Sequence, residues 1–554
     1  MIICGLKLTH DSSIAVVDNG RLAFSIELEK LNNNSRYNII EDLNIIPQLL
    51  SGNGYSIDKI DEFVVDGWVG ENSSVIKVVN NDREGEVAVA PYEEPESGRG
   101  LLQLKYNGEI EFGNYKVPFS SYTHVLNHVM ASYATSPFSR SNEPAYVLVW
   151  DGGMYPRLYF VDPAAHDVMP LGQLFYMGVN IYSIFSQHFR PFKTNANVIK
   201  DELSVAGKVM AYTAYGEVRQ DILEDLHDSY KATMAAARHK SNIPTYPYEF
   251  TKALKRIART KSYTDENIIA TFHKFLEELL VSGLQEKIKE TGYLSSNLCY
   301  AGGAALNIKW NSAIRNAGII SDIWICPFPN DSGSAIGAAC SLLADKSGQF
   351  SVEWNVYSGP EIQHTAAATG WTRREASAGE LAQLLHTSQE PVVFLNGKAE
   401  LGPRALGNRS ILASAATKRM KDILNNIKLR ESYRPLAPIC LEEHAPAIFS
   451  PGCKDIYMLF NHEVNPAWRD KIPAICHHDN TARLQTVTRG SNPVLHSILQ
   501  AYYEISGIPV LCNTSANFKG SGFFPDLHSA TQWNMVNYVW CEGWLYERQE
   551  KAII

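Results

Sequence analysis

Two histidines four residues apart, His124 and His128 in the stretch THVLNHVMASY, are the first residues whose spacing suggests chemistry. On an α-helix this spacing places both imidazoles on one face, one turn apart. Imidazole is a frequent ligand of divalent metal ions, but the pair lacks the glutamate of an HExxH motif and also fits a packed polar helix face. A metal site therefore requires further ligands from elsewhere in the chain.

A second candidate for chemistry is a basic segment between Asn396 and Leu436, which holds nine basic and three acidic residues in a chain of net charge −9. Lys418, Arg419 and Lys421 fit a solvated helix face. Arginines among glycine, proline, leucine and alanine are expected to be half-buried and to need an anion as partner, and their planar fork suits phosphate. The segment therefore predicts an anion site that includes Arg404 and Arg434.

Glycine-containing turns follow two of the predicted strands. Gly302-Gly303 and Asp331-Ser332-Gly333 each stand between an apolar strand and a helix. Glycine lets a ligand approach the backbone, and a helix N-terminus favours phosphate, although the same glycines are also typical of tight turns alone.

The elements that must position these residues form two similar units. Asn19-Gly20 between two β-rich runs predicts a two-residue hairpin, with His10 at the turn before its first strand. The runs 146–150 and 158–161 repeat the plan, with Asp151 after the first strand. Such a duplication is typical of actin-like ATPases and sugar kinases, which hold ligands in the cleft between halves. A long amphipathic helix is predicted over 265–292, and a domain boundary near residue 355.

Length, charge and cysteine pattern limit the kinds of function that this protein can have. A chain of 554 residues predicts two or more domains, and its negative charge argues against nucleic acid or an anionic membrane as a partner. Nine scattered cysteines without a CxxC pair indicate free thiols. With no apolar run approaching 18 residues and no signal-peptide pattern, we expect a cytoplasmic protein.

Motifs along nearly the whole chain identify a resemblance to the NodU-type O-carbamoyltransferases, which carbamoylate nodulation factors and antibiotics. The motifs are THDSS (9–13), THVLNHVMASY (123–133), WDGG (150–153), AGKVMAYTAYG (206–216), AGGAALN (301–307), PFPNDSGSAIGAA (327–339), GPRALGNRSILA (402–413), IKLRESYRPLAP (427–438), HHDNTARLQTV (477–487) and CNTSANFKG (512–520). One departure is Asn480, where glycine is common in the family.

The resemblance implies an α/β and α+β architecture. Residues 1–355 would form a TsaD-like domain of duplicated actin-like fold (ASKHA, ribonuclease H-like), and residues 356–554 a YrdC-like domain. The second would make carbamoyl adenylate from ATP, with Mg²⁺, and carbamoyl phosphate. The first would move the carbamoyl group to a hydroxyl of a small-molecule acceptor, and a chamber shared by the two domains would protect the reactive adenylate from water.

The resemblance also implies site residues. His124, His128, Asp151 and Asp331 would bind one metal, usually taken as iron, with zinc and manganese left open. His10 would accept the proton of the attacking hydroxyl or orient its loop. The catalytic cations would be Arg404, Lys428 and Arg434.

Further residues are implied in binding substrate or nucleotide: Arg483, Asn513, Ser515, His477 and Asn480 around the phosphates; Gly302, Gly303, Asn307 and Gly333 around the adenosine; and Lys208 and Arg409. Lys208 also fits a solvated lysine, and Arg409 a structural arginine.

Two other functions stay open at this stage: threonylcarbamoyl transfer to tRNA, and a non-catalytic nucleotide-binding regulator on an actin-like scaffold. Neither the acceptor nor the oligomeric state can be inferred, and a homodimer is left open. Residues 70–120 and 217–265 are interpreted as long loops that line the acceptor pocket.

Overall fold

The computed structural model describes residues 1–69, 74–94, 100–194, 203–237 and 263–550. The strands are β1 Ile2–Lys7, β2 Ser13–Asp18, β3 Arg21–Glu27, β4 Glu62–Asp66, β5 Val75–Asn80, β6 Arg83–Ala88, β7 Tyr106–Phe112, β8 Tyr115–Tyr122, β9 Ala145–Val149, β10 Arg157–Asp162, β11 Asp167–Gln173, β12 Asn297–Ala301, β13 Asp322–Trp324, β14 Trp371–Glu375, β15 Val392–Leu395, β16 Arg409–Ser414, β17 Ala437–Leu441, β18 Phe449–Ser450, β19 His462–Val464, β20 Thr481–Ala482, β21 Gln485–Val487, β22 Val510–Ser515, β23 Tyr538–Cys541 and β24 Trp544–Arg548. The helices are α1 Ile45–Gly52, α2 His124–Ala134, α3 Pro137–Arg140, α4 Ile181–Ser186, α5 Leu203–Tyr212, α6 Gln220–Ala237, α7 Asp265–Glu290, α8 Ile308–Asn316, α9 Ser334–Ser347, α10 Ala378–Ser388, α11 Lys418–Ile427, α12 Ala445–Ile448, α13 Pro466–Arg469, α14 Pro493–Ser506 and α15 Leu527–Gln532.

Two sheets of the first 350 residues share one strand plan. The first has the order β3-β2-β1-β4-β8-β7, and the second the order β11-β10-β9-β12-β13. In each, three antiparallel strands precede a strand that pairs in parallel with the first of them. The predicted duplicated, actin-like α/β fold is therefore confirmed, and so is the hairpin at Asn19-Gly20, where φ is +49° and +77°.

Helices α2 and α9 pack against each other beside both sheets, within the largely buried core of the first half. A Cβ on Gly337 would collide with the carbonyl of Asn127, so glycine lets the two helices approach closely. This contact fixes the helix that begins at His124 against the helix that follows Asp331.

The rest of the chain is built on an eight-stranded mixed sheet of order β14-β24-β23-β15-β16-β22-β17-β21. Apolar side chains of α10 and α14 cover one face, and those of α11 belong to the cluster on the other face. Because both faces are covered, β15, β16 and β17 are buried throughout. The likeness of this domain to YrdC stays a prediction.

One part of the sequence interpretation is wrong. The described residues within 70–120 do not form one long loop, because they contain β5, β6, β7 and much of β8. The apolar–polar alternation of these strands is weak, since many of their residues are exposed. The segment 217–265 includes α6, and residues 238–262 lie outside the described residues. The helix predicted over 265–292 is α7. Among the described residues, no helix is both long and apolar enough to span a membrane.

Candidate functional site

The structure brings together the four residues that the resemblance assigns to a metal. One ligand atom from each of His124, His128, Asp151 and Asp331 lies within 4.8 Å of the others, and all four side chains are buried. The Nε2 atoms of the two histidines are 3.0 Å apart, and Asp331 Oδ1 lies 3.3 and 3.4 Å from them. The elements explain this: α2 presents both imidazoles, Asp151 follows β9, and Asp331 precedes α9. We call this group the His–Asp cluster.

Residues outside the four donors orient the cluster. Asp66, at the end of β4, accepts a 2.7 Å hydrogen bond from Nδ1 of His124, which leaves Nε2 facing the cluster. The buried ammonium of Lys7 lies 3.0 Å from Asp66 and 2.9 Å from Asp331. Tyr92 donates a 2.7 Å hydrogen bond to Asp151.

Charge within the cluster shifts several pKa values. Burial alone would lower the pKa of His124, but the Asp66 and Asp331 carboxylates together outweigh burial and raise this pKa to about 9. Burial would raise the pKa of Asp66, but His124 and Lys7 lower it to about 2. The pKa of Asp331 is shifted in the same way: burial would raise it, but Lys7 and His124 hold it well below its usual range.

The donor set fits a divalent metal ion. Two imidazole nitrogens and two carboxylates suit borderline ions such as Fe²⁺, Mn²⁺ or Zn²⁺. A carboxylate behind a ligating histidine is the usual way to fix the tautomer and orientation of that ring, and Asp66 occupies this position. The cluster could therefore hold a metal ion, whose identity the geometry does not decide.

His10 lies beside this cluster. Its Nε2 atom is 3.5 Å from Asp331 Oδ2, and its Nδ1 atom is 3.2 Å from Asp11 Oδ2. Burial would lower the pKa of His10, but the hydrogen bond with Asp11 and the charge of Asp331 raise it overall. With 36% of its side chain exposed, the ring is accessible from solvent.

The glycine turns also border the cluster. The amide of Gly303 donates to Asp151 Oδ1 at 2.5 Å, and Gly302 has φ of +90° with no room for a Cβ beside the Trp150 carbonyl. Asn307 caps α8, and a Cβ on Gly333 would collide with the Phe328 carbonyl. These contacts explain the residues as parts of tight turns; their role toward adenosine stays a prediction.

A cavity of about 140 Å³ lies between the two halves of the chain and is strongly cationic. Six basic side chains line it: Arg36, Lys309, Arg404, Arg430, Arg434 and Arg483. Asp479 is the single carboxylate among the described residues of the lining, and it pairs with Lys309 at 2.8 Å. We call this space the arginine cavity.

Several guanidinium groups of the arginine cavity lack partners. The Nε atoms of Arg36, Arg404 and Arg483 are buried without a hydrogen-bond acceptor. Burial, helped by neighbouring arginines, lowers the pKa of Arg404 to about 10 and of Arg430 to about 9. Unpaired buried cations are costly, so this cavity is built for an anion.

The predicted phosphate residues separate into two groups. Arg404, Arg434, His477, Arg483, Asn513 and Ser515 line the arginine cavity. Burial lowers the pKa of His477 to about 3, so this imidazole is neutral at pH 7. Asn513 Oδ1 is buried without a donor and is available to a ligand hydroxyl or amide.

The others do not appear on the lining. Lys428 Nζ donates to the Ser515 and Asn517 carbonyls at 2.9 and 2.7 Å, and so supports the turn after β22. Arg409 donates to four backbone carbonyls, which favours the structural alternative. Lys208 pairs with Glu431 at 3.1 Å, although its neighbour Gly207 lines the cavity.

Asn480 lies on a turn rather than on the cavity lining. Its φ of +59° explains why glycine is common there, since asparagine tolerates this conformation better than other side chains. Its predicted contact with phosphate stays a prediction.

A buried ion pair from the first half positions the loop that carries Arg404. Lys30 Nζ donates to Glu27 at 2.7 Å and to the carbonyls of Glu400 and Gly402 at 2.6 and 2.7 Å. Glu27 in turn accepts the amide of Gly402 at 2.7 Å. The two halves are therefore joined at the base of this loop.

Sequence reasoning missed Lys7, Asp66 and Tyr92 at the cluster and Arg36, Lys309 and Arg430 at the cavity. One signal was available: in VVDGW, Asp66-Gly67 directly follows apolar residues, as Asp151-Gly152 does in LVWDGG. The two aspartates do not occupy equivalent places in the repeat, because Asp66 ends the fourth strand of its sheet and Asp151 follows the first strand of the other.

Comparison with known proteins finds relatives over nearly the whole chain. The family models for the carbamoyltransferase N-terminus and C-terminus match residues 2–340 and 382–548. Nodulation protein U of Rhizobium tropici is 45% identical over 100% of this chain and 97% of its own length. The 3′-hydroxymethylcephem-O-carbamoyltransferase of Streptomyces clavuligerus is 29% identical over 97% of each chain.

A solved structure, the activator of 2-hydroxyisocaproyl-CoA dehydratase from Clostridium difficile, is 12% identical and covers 63% of this chain and 96% of its own, with a TM-score of 0.33. The sequence matches, together with the duplicated fold, define an enzyme that transfers carbamoyl groups. The chain belongs to the carbamoyltransferase family.

Proposed function

We propose that the arginine cavity makes carbamoyl adenylate from ATP and carbamoyl phosphate, and that the His–Asp cluster directs transfer of the carbamoyl group to a hydroxyl of a small-molecule acceptor. The observation that carries the first half is that the Nε atoms of three arginines at this cavity are buried without an acceptor. Both substrates are polyanions, and phosphoryl chemistry is catalysed mainly by positioning and neutralising charge.

In the first reaction, water releases inorganic phosphate from carbamoyl phosphate and leaves carbamate. A carbamate oxygen then attacks the α-phosphorus of ATP, and pyrophosphate departs. Arg404, Arg434 and Arg483 neutralise the phosphate oxygens, while Asn513 supplies an uncharged contact. Mg²⁺ would accompany ATP.

In the second reaction, the acceptor oxygen attacks the carbamoyl carbon and AMP departs. His10 stands beside the cluster with its ring accessible from solvent, and in its neutral form this imidazole would take the hydroxyl proton. A divalent ion held by the two histidines and two aspartates would supply Lewis acidity. Lys7, Asp66 and Tyr92 keep these donors in place without the ion.

The arginine cavity is lined by both halves, which supports a shared chamber for the reactive adenylate. The lining includes Gly207, Met210 and Tyr215 of the first half and Tyr433 and His478 of the second, and the rings of Tyr215 and His478 stack with centroids 4.5 Å apart.

The test separates the two reactions. The protein should release pyrophosphate from ATP only when carbamoyl phosphate is present. His10→Asn should keep that release and lose carbamoylation, measured by mass spectrometry on a panel of alcohols. The panel begins with a hydroxymethyl cephem and with sugars, because relatives are named for a cephem substrate and for nodulation. Pyrophosphate release without carbamoyl phosphate would contradict the proposal.

A further inference from the structure

Arg36 reaches the arginine cavity from the first half of the chain. It lies in the connection that follows β3 and the helical turn Leu28–Lys30, whereas Arg404, Arg430, Arg434 and Arg483 lie in connections of the second half. The cavity is therefore incomplete without this segment.

The backbone around Arg36 is tied to the second half. Its amide donates to the Gly520 carbonyl at 2.9 Å, and Ser35 forms a β-bridge with Ser521. Both contacts lie just beyond β22, whose end lines the cavity through Asn513 and Ser515. The guanidinium is thus held at a defined place and does not belong to a free surface loop.

The guanidinium of Arg36 has little to bind within the protein. Nη2 lies 3.5 Å from the Pro403 carbonyl, at the limit of a hydrogen bond, and Nε is buried without a partner. In the described part of the chain it forms no ion pair with a carboxylate. Its charge adds to that of Arg404, Arg430 and Arg434, whose pKa values fall through burial first and then partly through Arg36.

A cation placed among like charges destabilises the free protein, and an anion in the cavity removes that cost. A planar fork with an unused Nε–H is suited to two oxygens of one phosphate group.

We propose that Arg36 binds phosphate oxygens in the arginine cavity, so that the first half of the chain supplies part of the adenylate-forming site. The ligand class is a di- or triphosphate. The inference rests on the proposed function for its biological meaning, but binding of an inorganic anion tests it directly.

The probe is inorganic pyrophosphate, titrated by calorimetry into full-length protein. Arg36→Met should weaken pyrophosphate binding by about tenfold or more, equivalent to about 1.4 kcal/mol. Arg36→Lys keeps the charge but not the fork, and should lose only part of the affinity. Arg419→Met removes an exposed arginine of α11 with the same change of net charge, and should bind as the unchanged protein does.

Thermal unfolding distinguishes binding from a structural role. Without ligand, Arg36→Met should unfold at the same or a higher temperature, because an unpaired charge is removed; with pyrophosphate, its midpoint should rise less than that of the unchanged protein. Unaltered affinity in Arg36→Met, or a lower midpoint without ligand that accounts for the weaker binding, would overturn the inference. If the unchanged protein binds pyrophosphate yet releases none from ATP and carbamoyl phosphate, the proposed function fails while the role of Arg36 in binding stands.

Discussion

The His–Asp cluster and the arginine cavity solve the problem of buried charge in opposite ways. In the cluster, Lys7 bridges Asp66 and Asp331, and Asp66 also accepts a hydrogen bond from His124. In the cavity, Arg36, Arg404 and Arg483 keep buried nitrogens without acceptors. The cluster is ordered by its own opposite charges, whereas the cavity keeps like charges that an anion would neutralise.

The cluster is therefore preorganised for a ligand, whereas the cavity is destabilised until a ligand binds. Opposite charges at the cluster fix the donor atoms before an ion arrives, so substitutions there should disturb geometry. Like charges in the cavity raise the free energy of the ligand-free protein, so substitutions there should trade stability against binding. The predictions below test this contrast.

The largest effect is expected from Asp331→Asn. Loss of this shared carboxylate should reduce carbamoyl transfer by about 10³-fold, because Lewis-acid stabilisation supplies several kcal/mol. Pyrophosphate release should change little, as measured by an assay that detects pyrophosphate and not inorganic phosphate. Asp322→Asn, at an exposed position, is the control. Equal loss of both reactions would show that the two regions do not act separately.

The joint between the regions should be nearly as sensitive. Lys30→Met leaves Glu27 buried without its cation, and should lower the free energy of unfolding by about 3 kcal/mol in a urea titration. Adding Glu27→Gln should recover part of the loss. Lys59→Met, on the surface, should be neutral. An unchanged urea midpoint for Lys30→Met would mean that this pair does not hold the halves together.

At the cavity, Arg483→Met should have effects of opposite sign. Pyrophosphate release should fall by about 10–100-fold, since a hydrogen bond to a charged group contributes about 1.5–3 kcal/mol. The ligand-free protein should unfold at a higher temperature, because burial and Arg404 already hold the pKa of Arg483 well below its usual range. Arg489→Met, which is exposed, controls for net charge. A lower unfolding temperature would remove the contrast with the cluster.

An effect about as large as that of Arg483→Met is expected behind the proposed metal donors. Asp66→Asn should weaken binding of Fe²⁺, Mn²⁺ or Zn²⁺ by about 10–100-fold, the usual cost of losing a partner behind a ligating histidine. Direct metal titration measures this, with Asp58→Asn as an exposed control. If the metal affinity did not change, Asp66 would have no role in orienting His124 for a metal ion, and its remaining role would be to neutralise Lys7.

Much of the fold was readable from local pattern. The hairpin at Asn19-Gly20, the long helix α7 and the duplicated strand plan follow from turn chemistry and periodicity. The strands within 70–120 could not be predicted, because residues such as those of β6 are mostly exposed and show no alternating apolar pattern.

Site residues could be predicted from the sequence where they belong to a motif. They could not be predicted where only tertiary packing brings them to the site. The four cluster donors came from motifs, although their proximity depends on α2 and α9 meeting across more than 200 residues. Arg36 could not be found this way: NNNSRYN is a polar stretch, and its partners Pro403 and Gly520 are hundreds of residues away. Lys428 and Arg409 show the reverse case, since their motifs suggest ligand contact while their nitrogens bind carbonyls.

The β-bridge between Ser35 and Ser521 has a practical consequence for engineering. A chimera that fuses the first half of one family member to the second half of another would combine a foreign Arg36 segment with a native arginine cavity. Such hybrids should regain function when residues 28–38 come from the same parent protein as the second half. The segments that must be exchanged together are therefore not separated by a single cut near residue 355.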